Sequence, residues 1–232
     1  MSHEMPKQGE PILFFDVESL PVEADDPRWQ ALAATIVAED GESDEDLAAR
    51  VEKLRLMTSL SGLFGRPWMI GFADRNAEPI LCSGDGSPDS EIRVLQSFWE
   101  GVKDYHNPWW VGHNILHFDI PFIQVRALHH GMPELARKLD RSRKPPWEKR
   151  VLDTMKLWPR TGQDRNFWKD GLRGMGGIDT ICQFLGIEVD DGTTGADVYD
   201  AFLRGDQASV EKHLHADVLR VRGVFRHLWP IL

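Results

Sequence analysis

PILFFDVE, residues 11–18, decides how this chain folds. A run of bulky apolar residues that closes on two acids is the pattern of a buried strand whose end opens into a site. Asp16 and Glu18 are two apart. Side chains alternate along a strand, so both carboxylates point to one face. Side by side they repel, and something must compensate. Mg²⁺ favours carboxylate and water oxygens and would do so; a strand end ending in solvent would also tolerate the pair.

Outward from this strand, RPWMIGFAD (66–74) and EPILCSG (78–84) read as two further strands joined by a turn at Asn76, and PWWVGHN (108–114) as a strand entering a loop. Ile92, Leu95, Phe98, Trp99 and Val102 have helical spacing within 90–105. Ser43 precedes acids and an apolar pattern, which predicts a capped helix over about 44–59. Helices are also expected at 119–130, with Pro121 in the first turn, at 176–187, ending at Gly186, and at 206–229. VLDTMKLW (151–158) is a short strand or a helix start. Residues 21–43 form an acidic excursion with a short helix near 28–38, and 137–150 form a basic, proline-interrupted loop. The order predicts an α/β fold in which a central mixed sheet is flanked by helices, in a single domain over 1–232.

Composition permits such a domain. At 41% hydrophobic the chain can bury a core, and at 28% charged it is a folded, water-facing protein. No apolar run is long enough for a membrane span, and MSHEMPKQGEP shows no export pattern. Cys82 and Cys182 are far apart and read as reduced thiols of a cytoplasmic protein. The net charge of −10 is unusual for a nucleic-acid enzyme. Its distribution is uneven: residues 126–173 hold 13 Lys or Arg against 6 Asp or Glu, so a basic region stands against an acidic remainder.

Two more segments carry candidate chemistry. GHNILHFDIPFI (112–123) places Asn114, Phe118 and Asp119 where a strand gives way to a helix, and the dipole of a helix's first turn favours an anion at Asp119. Alone, this is equally a plain helix cap. In EKHLHADVLRVRGVF (211–225), His213 and Asp217 are four apart and share a helix face, while Val210, Leu214, Val218, Val221 and Phe225 form a buried stripe. Alone, this is equally a His–Asp pair with no catalytic role. His215, two before Asp217, would point away.

Together, FFDVES, HNILHFD and HLHAD resemble the three motifs of the DEDD superfamily of 3′→5′ exonucleases, in order and in spacing. IDTICQFLGI, GADVYDAFLRGD and VEKHLHADVLR resemble more closely the predicted bacterial exonucleases related to the proofreading domain of family-B DNA polymerases. The resemblance covers about residues 11–229 and implies a ribonuclease-H-like fold. It implies hydrolysis of phosphodiester bonds from the 3′ end of a single strand, DNA favoured over RNA, with release of nucleoside 5′-monophosphates. Two Mg²⁺ or Mn²⁺ ions about 3.5–4 Å apart would be held by Asp16, Glu18, Asp119 and Asp217. His213 stands four before Asp217, where that subfamily has a tyrosine, and is expected to orient or deprotonate the attacking water. His113, Asn114 and Phe118, with Val17 and Leu20 of the first motif, are the residues the resemblance sets against the terminal nucleotides; Phe118 reads equally well as core.

In the basic loop, Arg143 and Lys144 with Trp147 suit a single strand through phosphate contacts and base stacking, or form a solvated loop. Two other functions stay open: an exonuclease fold that only binds nucleic acid, and a phosphodiesterase acting on small nucleotides.

Overall fold

In the computed structural model, which describes residues 6–7, 9–140, 150–158, 177–189 and 197–231, PILFFDVE lies in the middle strand of a five-stranded sheet. This strand, β1, is Ile12–Leu20. On one side it pairs antiparallel with β2 (Arg66–Asp74), which pairs antiparallel with β3 (Ile80–Ser83). On the other it runs parallel to β4 (Trp109–Gly112), and β4 runs parallel to β5 (Val151–Asp153). The sheet is therefore mixed, in the order β3-β2-β1-β4-β5.

Both faces of β1 are covered, which explains its continuous apolar run. Leu13, Phe15 and Val17 point into a core built with α3 (Pro88–Val102) and α4 (Asp119–His129). Ile12 and Phe14 point the other way, onto α7 (Ile178–Leu185) and the long α9 (Gln207–Leu228). Each such side chain contributes roughly 1.5–3 kcal/mol on burial. Two carboxylates one strand-repeat apart repel by about 2–3 kcal/mol at an effective dielectric of about 20. The burial of Leu13, Phe14 and Phe15 is enough to hold β1 in place with Asp16 and Glu18 at its end.

Local signals set the helix ends. Ser43 accepts from the Asp46 N–H to open α2 (Asp44–Met57), which is continued by a 3₁₀ turn to Leu60. The excursion's helix, α1, is Pro27–Ala33, capped by Asp26 and shorter than expected. Gly186, at φ 67°, closes α7 in the left-handed region, where a side chain would be strained. VLDTMKLW divides into β5 and a one-turn helix, α6 (Thr154–Leu157), because the Asp153 carboxylate accepts from the Met155 N–H and starts that turn. Two helices lie outside the sequence expectations: α5 (Pro133–Leu139), whose Leu135, Ala136 and Leu139 are buried, and α8 (Val198–Arg204), whose Val198 and Ala201 are buried. Both are seven residues long, too short to show a full amphipathic repeat. Residues 137–139, read as the start of the basic loop, belong to α5. Cys82 and Cys182 are buried in the cores on opposite faces of the sheet, which prevents their pairing.

No helix of the described residues is long and apolar enough to cross a membrane.

Candidate active site

β4 pairs with β1 only as far as Val111 opposite Phe14, so Asp16 and Glu18 lie beyond its end. On the other edge, Asp16 is opposite Gly71 and Glu18 opposite Met69, and the register slips just after Glu18. The two acids thus sit on the α9 side of the sheet, past the point where the parallel strand stops. Glu18 is buried, and Asp16 is half-buried.

α9 crosses directly above them. Its Val210, Leu214, Val218, Val221 and Phe225 are buried, as the stripe predicted. A Cβ built on Gly71 would lie 2.9 Å from Leu214 Cγ and 3.0 Å from Val218 Cγ2, so the helix rests on that glycine. The approach brings His213 and Asp217 to the acids of β1. His213 Nε2 is 3.6 Å from Glu18 Oε1 and 3.5 Å from Asp217 Oδ2. His215 points away, towards Glu78.

Asp119 arrives from the opposite side. It is the first residue of α4 and only 1% exposed. The backbone N–H groups of Val17 and of Asp119 itself point to its carboxyl. Its Oδ1 atom is buried with no hydrogen-bond partner among the described residues. The loop that delivers it is shaped by Asn114, at φ 63°, whose carbonyl accepts from His117 N and Phe118 N at 3.0 Å each. Asn114 N in turn donates to Asp153 Oδ1 at 2.9 Å.

These placements concentrate negative charge. The Asp16 carboxyl is raised well above its ordinary range, first by burial, then by Asp119, Asp217 and Glu18. Asp119 is pushed up to about 8, by burial and then by the charge of Asp153. Asp217 is raised by burial, against the opposing pull of His213 and Arg220. Asp16 feels all three of the other acids.

The expected residues around this centre divide. Val17 packs into the core under the sheet, so only its backbone faces the site. Leu20, expected to wedge against a terminal base, is instead fully buried among Trp68, Met69, Val198, Ala201, Val210 and Leu214. It cannot take that role, because α8 covers the end of β1. His113 Nδ1 is 3.0 Å from Thr154 Oγ1, which ties its ring to α6. Phe118 is half-buried, with its ring 5.2 Å from that of Phe122, and Asn114 is half-buried beside it. Arg143, Lys144 and Trp147 lie outside the described residues.

Two contributors were missed from sequence. Arg220 is 7% exposed; its guanidinium binds Asp217 Oδ1, donates to Val189 O at 2.8 Å and lies 3.5 Å from Asp179. The signal was its spacing of three from Asp217, one helix turn. Asp153 is 3% exposed and accepts from the backbone N–H groups of Asn114, Leu116 and Met155. An acid at the end of the apolar pair Val151–Leu152 was its only mark.

Residues 73–228 match the family described as predicted 3′-5′ exonucleases related to the exonuclease domain of PolB. The chain belongs to this family. The matched span includes Asp119, His213 and Asp217 and begins after the strand that carries Asp16 and Glu18; the fold supplies those two to the same site. Among solved structures, the family B DNA polymerase of the hyperthermophilic archaeon Pyrobaculum calidifontis is similar, with a TM-score of 0.60 at 16% identity. That likeness covers 98% of this chain and 26% of the polymerase, so the chain spans about a quarter of the polymerase's length. At this identity the shared property is the fold, which is ribonuclease-H-like. No curated protein matches.

Proposed function

We propose that this protein is a divalent-metal-dependent 3′→5′ exonuclease that trims single strands, DNA in preference to RNA, and releases nucleoside 5′-monophosphates. The observation that carries this reading is the convergence of four carboxylates from three distant segments, with the buried Asp119 Oδ1 without a hydrogen-bond partner among the described residues. A buried polar atom without a partner costs about 1–3 kcal/mol, and more when charged. A bound cation removes that cost and the mutual repulsion together. The donor set fits: carboxylate oxygens are the ligands that Mg²⁺ and Mn²⁺ select.

In this reading Asp16 serves both halves of the site, with Glu18 and Asp217 beside His213 on one and Asp119 on the other. When bound, a pair of divalent ions supplies an activated water and stabilises the charge that develops on the leaving oxygen. The chain's own part is to hold these side chains before substrate arrives. Arg220 fixes Asp217, and Asp153 fixes the loop that presents Asp119 and Asn114. Asn114 and Phe118 are the candidates to receive the terminal nucleotides. Kinship with a polymerase exonuclease domain supports DNA as the substrate.

The test is a 5′-labelled single strand incubated with protein and Mg²⁺ or Mn²⁺, then with chelator. Stepwise shortening that stops on chelation, with loss of about 10³-fold or more in rate for Asp16→Asn or Asp217→Asn, is expected. Binding without shortening would make the protein a nucleic-acid-binding module. Hydrolysis of dinucleotides alone would make it a small-nucleotide phosphodiesterase. Variant rates within tenfold of wild type would rule out this centre.

A further inference from the structure

His213 is 3% exposed, and its Nε2 atom approaches two of the site's carboxylates. Nε2 lies 3.6 Å from Glu18 Oε1 and 3.5 Å from Asp217 Oδ2, and the three residues each offer a ligand atom within 4.8 Å of the others'. Asp217 has its other oxygen occupied by Arg220, so Oδ2 is the atom it turns to the cluster.

These spacings are close to those of ligands around one ion. With bonds of roughly 2.1 Å and angles between octahedral and tetrahedral, adjacent donor atoms are roughly 3.0–3.4 Å apart. Nε2 meets both oxygens within a few tenths of an ångström of that range.

The geometry points to His213 as a direct ligand of the ion held by Glu18 and Asp217, which makes this half of the site a one-nitrogen, two-carboxylate face. The inference rests on the metal-dependent reading above and changes the role of His213 within it. An imidazole donor suits borderline transition ions and adds little for Mg²⁺. The position therefore favours Co²⁺ or Zn²⁺, with Mn²⁺ next, over Mg²⁺.

The experiment is pulsed electron paramagnetic resonance on the full chain loaded with Mn²⁺, alongside Co²⁺ and Mg²⁺ titrations of wild type and His213→Gln. Modulation from a directly bound ¹⁴N is expected in wild type and absent in the variant. Co²⁺ affinity should fall at least tenfold in His213→Gln, and Mg²⁺ affinity less than threefold. The wild-type spectrum decides the matter even if the variant fails to fold. If Glu18→Gln abolishes Mn²⁺ binding yet wild type shows no ¹⁴N coupling, His213 stands beside the ion without binding it, and the ligand assignment is overturned alone. If Glu18→Gln and Asp217→Asn leave Mn²⁺ binding unchanged, the metal centre itself, and the exonuclease reading with it, fails.

Discussion

Asp16 lies opposite Gly71 across the β1–β2 ladder, and that pairing is what admits α9 to the site. Where Asp16 extends its carboxylate, its neighbour has no side chain, and Leu214 and Val218 settle into the space. The same contact sets the height of His213 and Asp217, which lie on either side of Leu214 on the helix.

Gly71→Val is therefore expected to lift α9 away from β1. Overpacking of this kind costs about 1–3 kcal/mol. Nuclease activity should fall far more than stability does, since His213 and Asp217 move with the helix. Urea denaturation and a single-strand degradation assay on the same preparation check both halves.

The acid cluster predicts an inverted pH dependence for the metal-free protein. Asp16, Asp119 and Asp217 have folded-state pKa values raised above the ordinary 3.8, Asp119 to about 8. Between about pH 4 and pH 8 the folded protein holds protons that the unfolded chain has released. Stability contributed by these groups is thus present at low pH and is lost as pH rises through that window. Melting temperatures in chelator should fall across it, and Mn²⁺ should raise them most at its upper end. Thermal scans at several pH values, with and without Mn²⁺, measure this directly.

Arg220 is predicted to be a positioning residue. Arg220→Lys keeps the charge, yet a single ammonium cannot span Asp217, Asp179 and Val189 O as the guanidinium does. Metal affinity should drop about 10–100-fold, as for other groups that orient a ligand. Calorimetric Mn²⁺ titration checks the value. An unchanged affinity would reduce the Asp217–Arg220 pair to a structural contact.

Asp153→Ala removes the acceptor for three backbone N–H groups, those of Asn114, Leu116 and Met155. These bonds are part-buried, so their loss is expected to cost about 1 kcal/mol in stability. The loop that carries Asn114 should loosen first. Hydrogen exchange at residues 113–118, compared with the α3 core, reports whether the loss is local.

Much of this molecule was legible in local sequence. The apolar run and alternation of 12–18 specified a buried strand with two acids on one face. Ser43, Gly186 and the stripe Val210–Phe225 placed helix ends and the buried face of α9, because caps and periodicity act within a few residues. Order and spacing of the three motifs singled out four acids and His213 as candidates, and the fold draws Glu18, His213 and Asp217 together.

What remained depended on segments that meet only in space. Leu20 reads as an apolar residue beside a motif; its burial comes from α8, almost 180 residues later in the chain. Asp153 closes a three-residue strand too short to carry a pattern, yet its carboxylate holds the Asn114 loop. Spacing on α9 put His213 and Asp217 on one face but said nothing of how far that face would stand from Glu18. Packing over Gly71 decided it, at 3.6 Å from His213 Nε2 to Glu18 Oε1. Sequence alone proposed which acids and which histidine would form the candidate site. Tertiary packing decided their distances, because separations between elements follow from how side chains of different segments fill shared volume, and no short-range pattern encodes that.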